Sequence, residues 1–152
     1  MLDSAQVAFV HGGVGTGVAT RDHDLVPAFT RAFGPQVSHA GSVLSLCVVA
    51  SLGSRSRANL ESNGAIAVVF SPPTVARGLQ VKGVVRELRE PRAADLVRAE
   101  EHLLAFIAEC AELAIAPEVP RRLFARDEFV WVSFPIEDVF DQTPGRGAGR
   151  RL

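Results

Sequence analysis

The chain has no tyrosine, one tryptophan, one methionine and two cysteines in 152 residues, and Lys82 is its sole lysine. Each shortage excludes something. Cys47 and Cys110 stand far apart with no CxxC spacing, so neither a zinc ribbon nor a thioredoxin-type redox pair is available. Two buried thiols in a reducing compartment are the expectation. Sixteen basic residues against seventeen acidic ones leave a net charge of -1, which removes any global field that would draw the protein to nucleic acid or to an anionic membrane. An anion site, if there is one, must be local. No apolar run approaches the ~18 residues of a membrane helix, and the start MLDSAQVAFVH lacks the basic opening of a leader. The expected setting is therefore the cytoplasm, with no membrane and no nucleic-acid partner.

What is present is apolar material in short runs. At 47% hydrophobic residues the chain can bury a core without disulfides or metals. Gly15 to Arg21, Val26 to Phe33, Ser42 to Ala50, Ala65 to Phe70, Gly78 to Leu88 and Glu128 to Phe134 read as strands, and Ala5 to His11 as a strand or the end of a short helix. Gly34-Pro35 reads as a break. In Ser42 to Ala50 both faces are apolar, as in a barrel strand whose outer side also lies under a helix or a partner. From Glu90-Pro91 onward, Leu96, Ala99, Leu103, Phe106, Cys110 and Leu113 recur at helical spacing. The predicted fold is α+β, mainly β: a small antiparallel split barrel of six or seven strands with two inserted helices, spanning 1–140. A flexible tail, DQTPGRGAGRRL, covers 141–152.

Several motifs that suggest chemistry have plainer readings. GGVGTG at 12–17 lacks the Lys-Ser/Thr of a phosphate loop and reads as a hairpin turn. Asp22-His23-Asp24 is a turn, and His11, His39 and His102 have no ligand spacing, so no metal site is expected. The stretch Ser51 to Gly64 is different. Gly53 permits a tight turn, Ser54 suits an N-cap, and Arg55 and Arg57 stand where free N–H groups and the positive helix end favour an anion. A capped helix with two solvated arginines is the competing reading of the same residues.

Residues 53–83, GSRSRANLESNGAIAVVFSPPTVARGLQVKG, carry a collinear series: a Gly-Ser-Arg turn, a short helix ending in Asn-Gly, a strand, a Pro-containing turn with Thr and Arg, and a strand with Gly. This series resembles the pyridoxamine 5'-phosphate oxidase-like, FMN-binding split-barrel family, and Val18 to Asp22 with Pro27 and Arg31 is similar to the family's opening hairpin. The resemblance covers about two-thirds of the chain. It implies an FMN phosphate held by Ser54 and Arg55, with Arg57 and Arg31 contributing, and Thr74, Arg77 and Gln80 near the flavin. It implies a homodimer with the cofactor at the subunit interface, and an oxidoreductase acting on a small molecule with a nicotinamide donor. Three departures narrow this. Ser56 stands where a basic residue follows the family's Ser-Arg, and Gly78 where a ring-contacting Gln is found; the C-terminal Trp and paired Arg of the enzymes that make pyridoxal phosphate are missing. Production of pyridoxal phosphate is not expected, and no catalytic residue is assigned. The same resemblance admits a non-catalytic flavin- or haem-binding module and a deazaflavin-dependent reductase.

Overall fold

The structure, a computed structural model, describes all residues from Met1 to Leu152. The sequence places short apolar runs between strong turn signals, and those runs become nine strands in one antiparallel sheet. The first half supplies α1 (Ser4–Val10), β1 (Gly15–Arg21), β2 (Pro27–Ser38), β3 (Val43–Val49), α2 (Arg55–Ser62) and β4 (Ala65–Ser71). The second half supplies β5 (Leu79–Val84), β6 (Glu87–Arg89), α3 (Ala93–Ala111), α4 (Glu118–Arg121), β7 (Phe129–Pro135), β8 (Asp138–Asp141) and β9 (Arg150–Arg151). The strand order is β6-β7-β3-β2-β1-β4-β5-β8-β9. The sheet curls on itself: just after β5, the Arg86 N–H donates to the Ser133 carbonyl of β7, and Gly83 lies so close to Pro135 that a Cβ there would sit 2.4 Å from its carbonyl oxygen. The architecture is thus the α+β split barrel that the sequence implies, with more strands than six or seven and four α-helices where two were expected.

Alternation fixes what each strand buries. Val18 on β1, Leu44, Leu46 and Val48 on β3, Val68 and Phe70 on β4, and Val130, Val132 and Phe134 on β7 point inward and are sealed in a cluster of nineteen residues. Full burial of such side chains contributes about 1.5 to 3 kcal/mol each. The second apolar face of β3 lies under α3, where Cys47 meets Phe33, Ala99, Leu103 and Phe129. Phe33, Phe124 and Phe129 pack edge-on or tilted, with Phe124 5.0 Å from each of the other two. Burial pushes the Cys47 thiol up to about 12, with Asp95 adding to the rise, so it is inert at neutral pH.

One open local expectation is settled and two are corrected. Of the two readings of the first run, strand or short helix, the helix is the one formed, because Asp3 and Gln6 form a reciprocal capping box: each side chain accepts the other's backbone N–H, at 2.8 and 2.9 Å. GGVGTG is therefore no hairpin turn; Gly12 and Gly13 lead from α1 into β1, and Gly13 lies on α3, where a Cβ would meet the Ala105 carbonyl oxygen at 2.5 Å. Gly34-Pro35 does not end a strand. β2 runs through it with a bulge between Phe33 and Gln36, Gly34 adopts φ +64°, and α3 comes so near that a Cβ would be 2.8 Å from the Ala99 nitrogen.

The 140/141 division falls inside β8, and residues 150–151 return as β9, with Phe140 opposite Arg151 and Asp141 opposite Arg150. No helix is long and apolar enough to cross a membrane.

Candidate functional site: an open helix end beside the barrel

α2 joins the end of β3 to the start of β4 and closes one end of the barrel. Leu60 enters the core, and the Asn59 amide donates to the Thr20 hydroxyl of β1 at 3.1 Å. Its other end is held by Asn63, whose side-chain amide donates to the Arg21 carbonyl at 2.8 Å while its oxygen accepts the Ala65 N–H. Ser54 caps the first turn, its Oγ accepting the Arg57 N–H at 3.2 Å. The amides of Arg55 and Ser56 find no acceptor within the protein, and the first turn holds no acidic residue. Gly53, at φ +82°, has nothing within 4 Å of where a Cβ would lie. Two free N–H groups, the positive end of a helix and open space beside them form an anion-accepting geometry.

The candidate residues are not equivalent. Arg55 is exposed and makes no ion pair or hydrogen bond, leaving all its donors available. Arg57 is committed: its Nε donates to Glu61 at 2.5 Å and its guanidinium stands 3.6 Å from Glu90, with 14% of the side chain exposed. Ser56 is buried, so the position where the family carries a basic residue faces inward here. Arg31 lies on β2 opposite Gly17, 5.1 Å from the Phe29 ring centroid, one residue from Thr30, which bonds the Val49 carbonyl that leads toward α2.

Gln80 shares a cross-strand row with Val69 and Gly17 on the outward face and accepts from the Gln142 amide at 3.2 Å. Thr74 and Arg77 lie beyond the far end of β4. Thr74 donates to Glu109 at 2.6 Å and Arg77 stacks on Phe9, 4.4 Å from its centroid. Seven residues of β4 separate this loop from α2, about 20 Å at ~3.3 Å per residue. Within one chain the structure therefore brings Ser54, Arg55 and Arg57 together and leaves Thr74 and Arg77 at the opposite end.

The outward face of β1, β4 and β5 was not found from the sequence as a surface. Ala19, Ala67 and Lys82 form one row across it, and an open groove of ≈ 480 Å³ runs along this face past Arg21, Leu25 and Asp138. Small outward residues at Gly17, Ala19 and Ala67 were the available signal, visible only once the register is known. The groove touches none of the predicted phosphate residues.

No family model matches the sequence, and no curated protein matches it. Solved structures do. HupZ of Group A Streptococcus superposes with TM-score 0.58 at 18% identity, covering 98% of this chain and 100% of its own. A candidate pyridoxamine 5'-phosphate oxidase from Lactobacillus delbrueckii gives 0.56 at 17%, over 91% and 93%. An F420 reductase gives 0.56 at 15%, over 87% and 93%. At these identities the likeness establishes the fold: the chain is a split barrel of the pyridoxamine 5'-phosphate oxidase-like type, and the resemblance carried by residues 53–83 is borne out at that level.

Proposed function

We propose that the chain is an FMN-dependent oxidoreductase acting on a small molecule as a homodimer, with a flavin phosphate at the N-terminus of α2. The observation that supports it is the unbalanced helix end: two free amides and an unpaired Arg55 where the fold's relatives include flavin-type proteins. Ser54, Arg55 and the Arg55 and Ser56 amides would hold the phosphate, charge-assisted bonds contributing about 1.5 to 3 kcal/mol each. Arg31 stands on the approach from β2, and Arg57 serves chiefly to fix Glu61 and Glu90. The bound flavin would supply hydride chemistry, for which the chain offers position and electrostatics. No residue is assigned a catalytic role.

The distances support a dimer. If Thr74, Arg77 and Gln80 also serve the cofactor, the far-end loop must come from a second subunit, because within one chain it is a full strand length from α2. The β1–β2 hairpin gives this dimer an apolar surface: Leu25 is 67% and Phe29 60% exposed beside the groove. Two buried free thiols fit a cytoplasmic setting. Pyridoxal phosphate synthesis is not part of the proposal, since Arg151 is already paired with Asp138 and the C-terminal hairpin contains no tryptophan.

The deciding experiment titrates purified protein with FMN and, separately, with a deazaflavin such as F420, following flavin fluorescence and absorbance. Saturable FMN binding at one per subunit, with bleaching on addition of NADH or NADPH, supports the proposal. Binding of the deazaflavin alone favours the F420-type reading. FMN bound without reduction by any nicotinamide donor makes the chain a flavin-binding module, and no binding of either removes the site.

A further inference from the structure

His102 lies on the inner side of α3, 93% buried by its 7% exposure, and neither ring nitrogen has a hydrogen-bond partner within the protein. An orphaned imidazole in a packed interior costs free energy, because both nitrogens lose water without replacement. His102 stands edge-on to Phe33, with ring centroids 6.0 Å apart. It also lines a polar cleft of ≈ 320 Å³ between the end of α1, the bulge of β2 and α3. This cleft shares no residue with the outward groove or with the α2 turn.

Its wall is chemically specific. The Val37 N–H donates to His11 Nε2 at 3.1 Å, so the neutral His11 ring carries its proton on Nδ1 and can donate. Arg98 is held by α3 only through a long 3.8 Å contact to Asp95, and 35% of its side chain is exposed. Glu101 and the Gln36 side chain make no hydrogen bond or ion pair with the protein. Desolvation brings His102 down to about 4, and the Val14 backbone, near but outside hydrogen-bond geometry, opposes this slightly. Burial and the neighbouring Arg98 charge lower His11 as well. Both rings are therefore neutral at pH 7, and His102 offers one donor and one acceptor. His11 spends its Nε2 on the backbone, which argues against a metal ion bridging the two histidines.

We infer that this cleft is a second ligand site, built for a small molecule carrying both a carboxylate and a donor group, of the amino-acid or hydroxy-acid class. Arg98 pairs the carboxylate, Glu101 accepts from the ligand's donor, and one ring nitrogen of His102 gains from the ligand a hydrogen bond that the protein does not give it. Glu101 also disfavours a doubly charged phosphate. The β2 bulge shapes the cleft wall: Gly34 and Pro35 lie in it, and the φ of +64° at Gly34 directs the chain around the space.

The test uses the full chain labelled with ¹⁵N-histidine, following ring nitrogen resonances while glycine, glycolate or inorganic phosphate is added to 10 mM. The His102 signals are identified by their loss in His102→Phe. Saturable movement of these signals with glycine or glycolate, at least tenfold weaker with phosphate and at least tenfold weaker in Arg98→Gln, supports the site. Arg55→Ala should leave the response unchanged, which separates this site from the flavin site. Signals unmoved by all three probes overturn the inference, as does a response that Arg98→Gln does not alter. Should His102→Phe fail to fold, the Arg98→Gln comparison carries the test alone, because that side chain is partly solvated.

Discussion

Two helix N-termini in this molecule handle charge in opposite ways. At α3, Asp95 accepts the Arg92 N–H at 2.8 Å and a bond from the Arg89 guanidinium at 2.7 Å, and Arg89 lies over Trp131 with its Cζ 3.7 Å from the ring centroid. That end closes its side-chain charges within the chain, although its first amides, those of Ala93 and Ala94, find no acceptor, as at α2. At α2 the amides of Arg55 and Ser56, and Arg55 itself, are answered by nothing in the protein. The sequence shows a polar residue and arginines at both places. What separates a structural helix end from a binding one is whether the charges close among themselves.

The largest effect expected from breaking this contrast is at α3. Asp95 is 8% exposed, and Asp95→Ala strips Arg89 of its main partner above Trp131 and leaves the Arg92 amide without its acceptor. A loss of about 2 to 4 kcal/mol is expected, from the cost of separating a largely buried pair, measured by urea unfolding, with FMN affinity unchanged. The pH dependence has a definite sign. Burial raises the Asp95 carboxyl, but the Arg89 bond, the Arg92 amide and the charges of Arg89 and Arg98 outweigh it and hold it below its ordinary value. The unfolded chain therefore binds the proton more readily. The stabilisation is complete above the ordinary carboxylate range and is lost as pH falls through the lower folded value. Asp95→Asn should flatten that acid limb, and an unchanged limb would assign it to other carboxylates.

Arg55→Ala is the counterpart at α2. Stability should change by less than about 0.5 kcal/mol, since the side chain is exposed and makes no hydrogen bond or ion pair. FMN affinity should fall at least tenfold, or about 1.4 kcal/mol. If fluorescence titration shows equal affinity, Arg55 becomes an ordinary solvated arginine and the two helix ends differ only in their packing. Ser54→Ala should cost more stability, about 1 kcal/mol for the lost cap, and less affinity, a severalfold weaker flavin complex.

This contrast also explains what could be read in advance. Ser54 as cap and Arg55 beside it were legible because capping is local, set by residues within one turn. β1, β3 and β4 were legible because each is a run of apolar residues between strong turns. The bulge in β2 was not: Gly34-Pro35 ends a strand by local rules, and only the approach of Ala99 shows why the chain continues through it. β9 is two residues long and carries charge, so no periodicity marks it, and the alternation of Gly78 to Leu88 does not show that the run divides into β5 and β6. Thr74 and Arg77 were correctly placed in one loop, yet nothing in their spacing says that β4 carries them a strand length from α2. The cleft at His102 needed α1, β2 and α3 assembled, and no stretch of sequence contains it.

Arg57 offers the finest test, because it sits two residues from Arg55 and differs only in its partners. Its Nε bond to Glu61 is an i,i+4 contact and Glu90 lies on its other side. An i,i+4 pair with one exposed partner contributes about 0.3 to 0.5 kcal/mol, and with the Arg57 side chain 14% exposed between its two partners, Arg57→Gln should lower stability by about 1 kcal/mol or less. If the acidic partners hold the guanidinium, FMN affinity should fall less than threefold, well below the effect of Arg55→Ala. Equal losses at both positions would mean that the phosphate draws Arg57 away from Glu61. In that case Glu61→Gln, which frees Arg57 beforehand, should tighten FMN binding. A variant that leaves affinity unmoved would keep Arg57 in its structural pairing and leave Arg55 as the side chain that answers the anion.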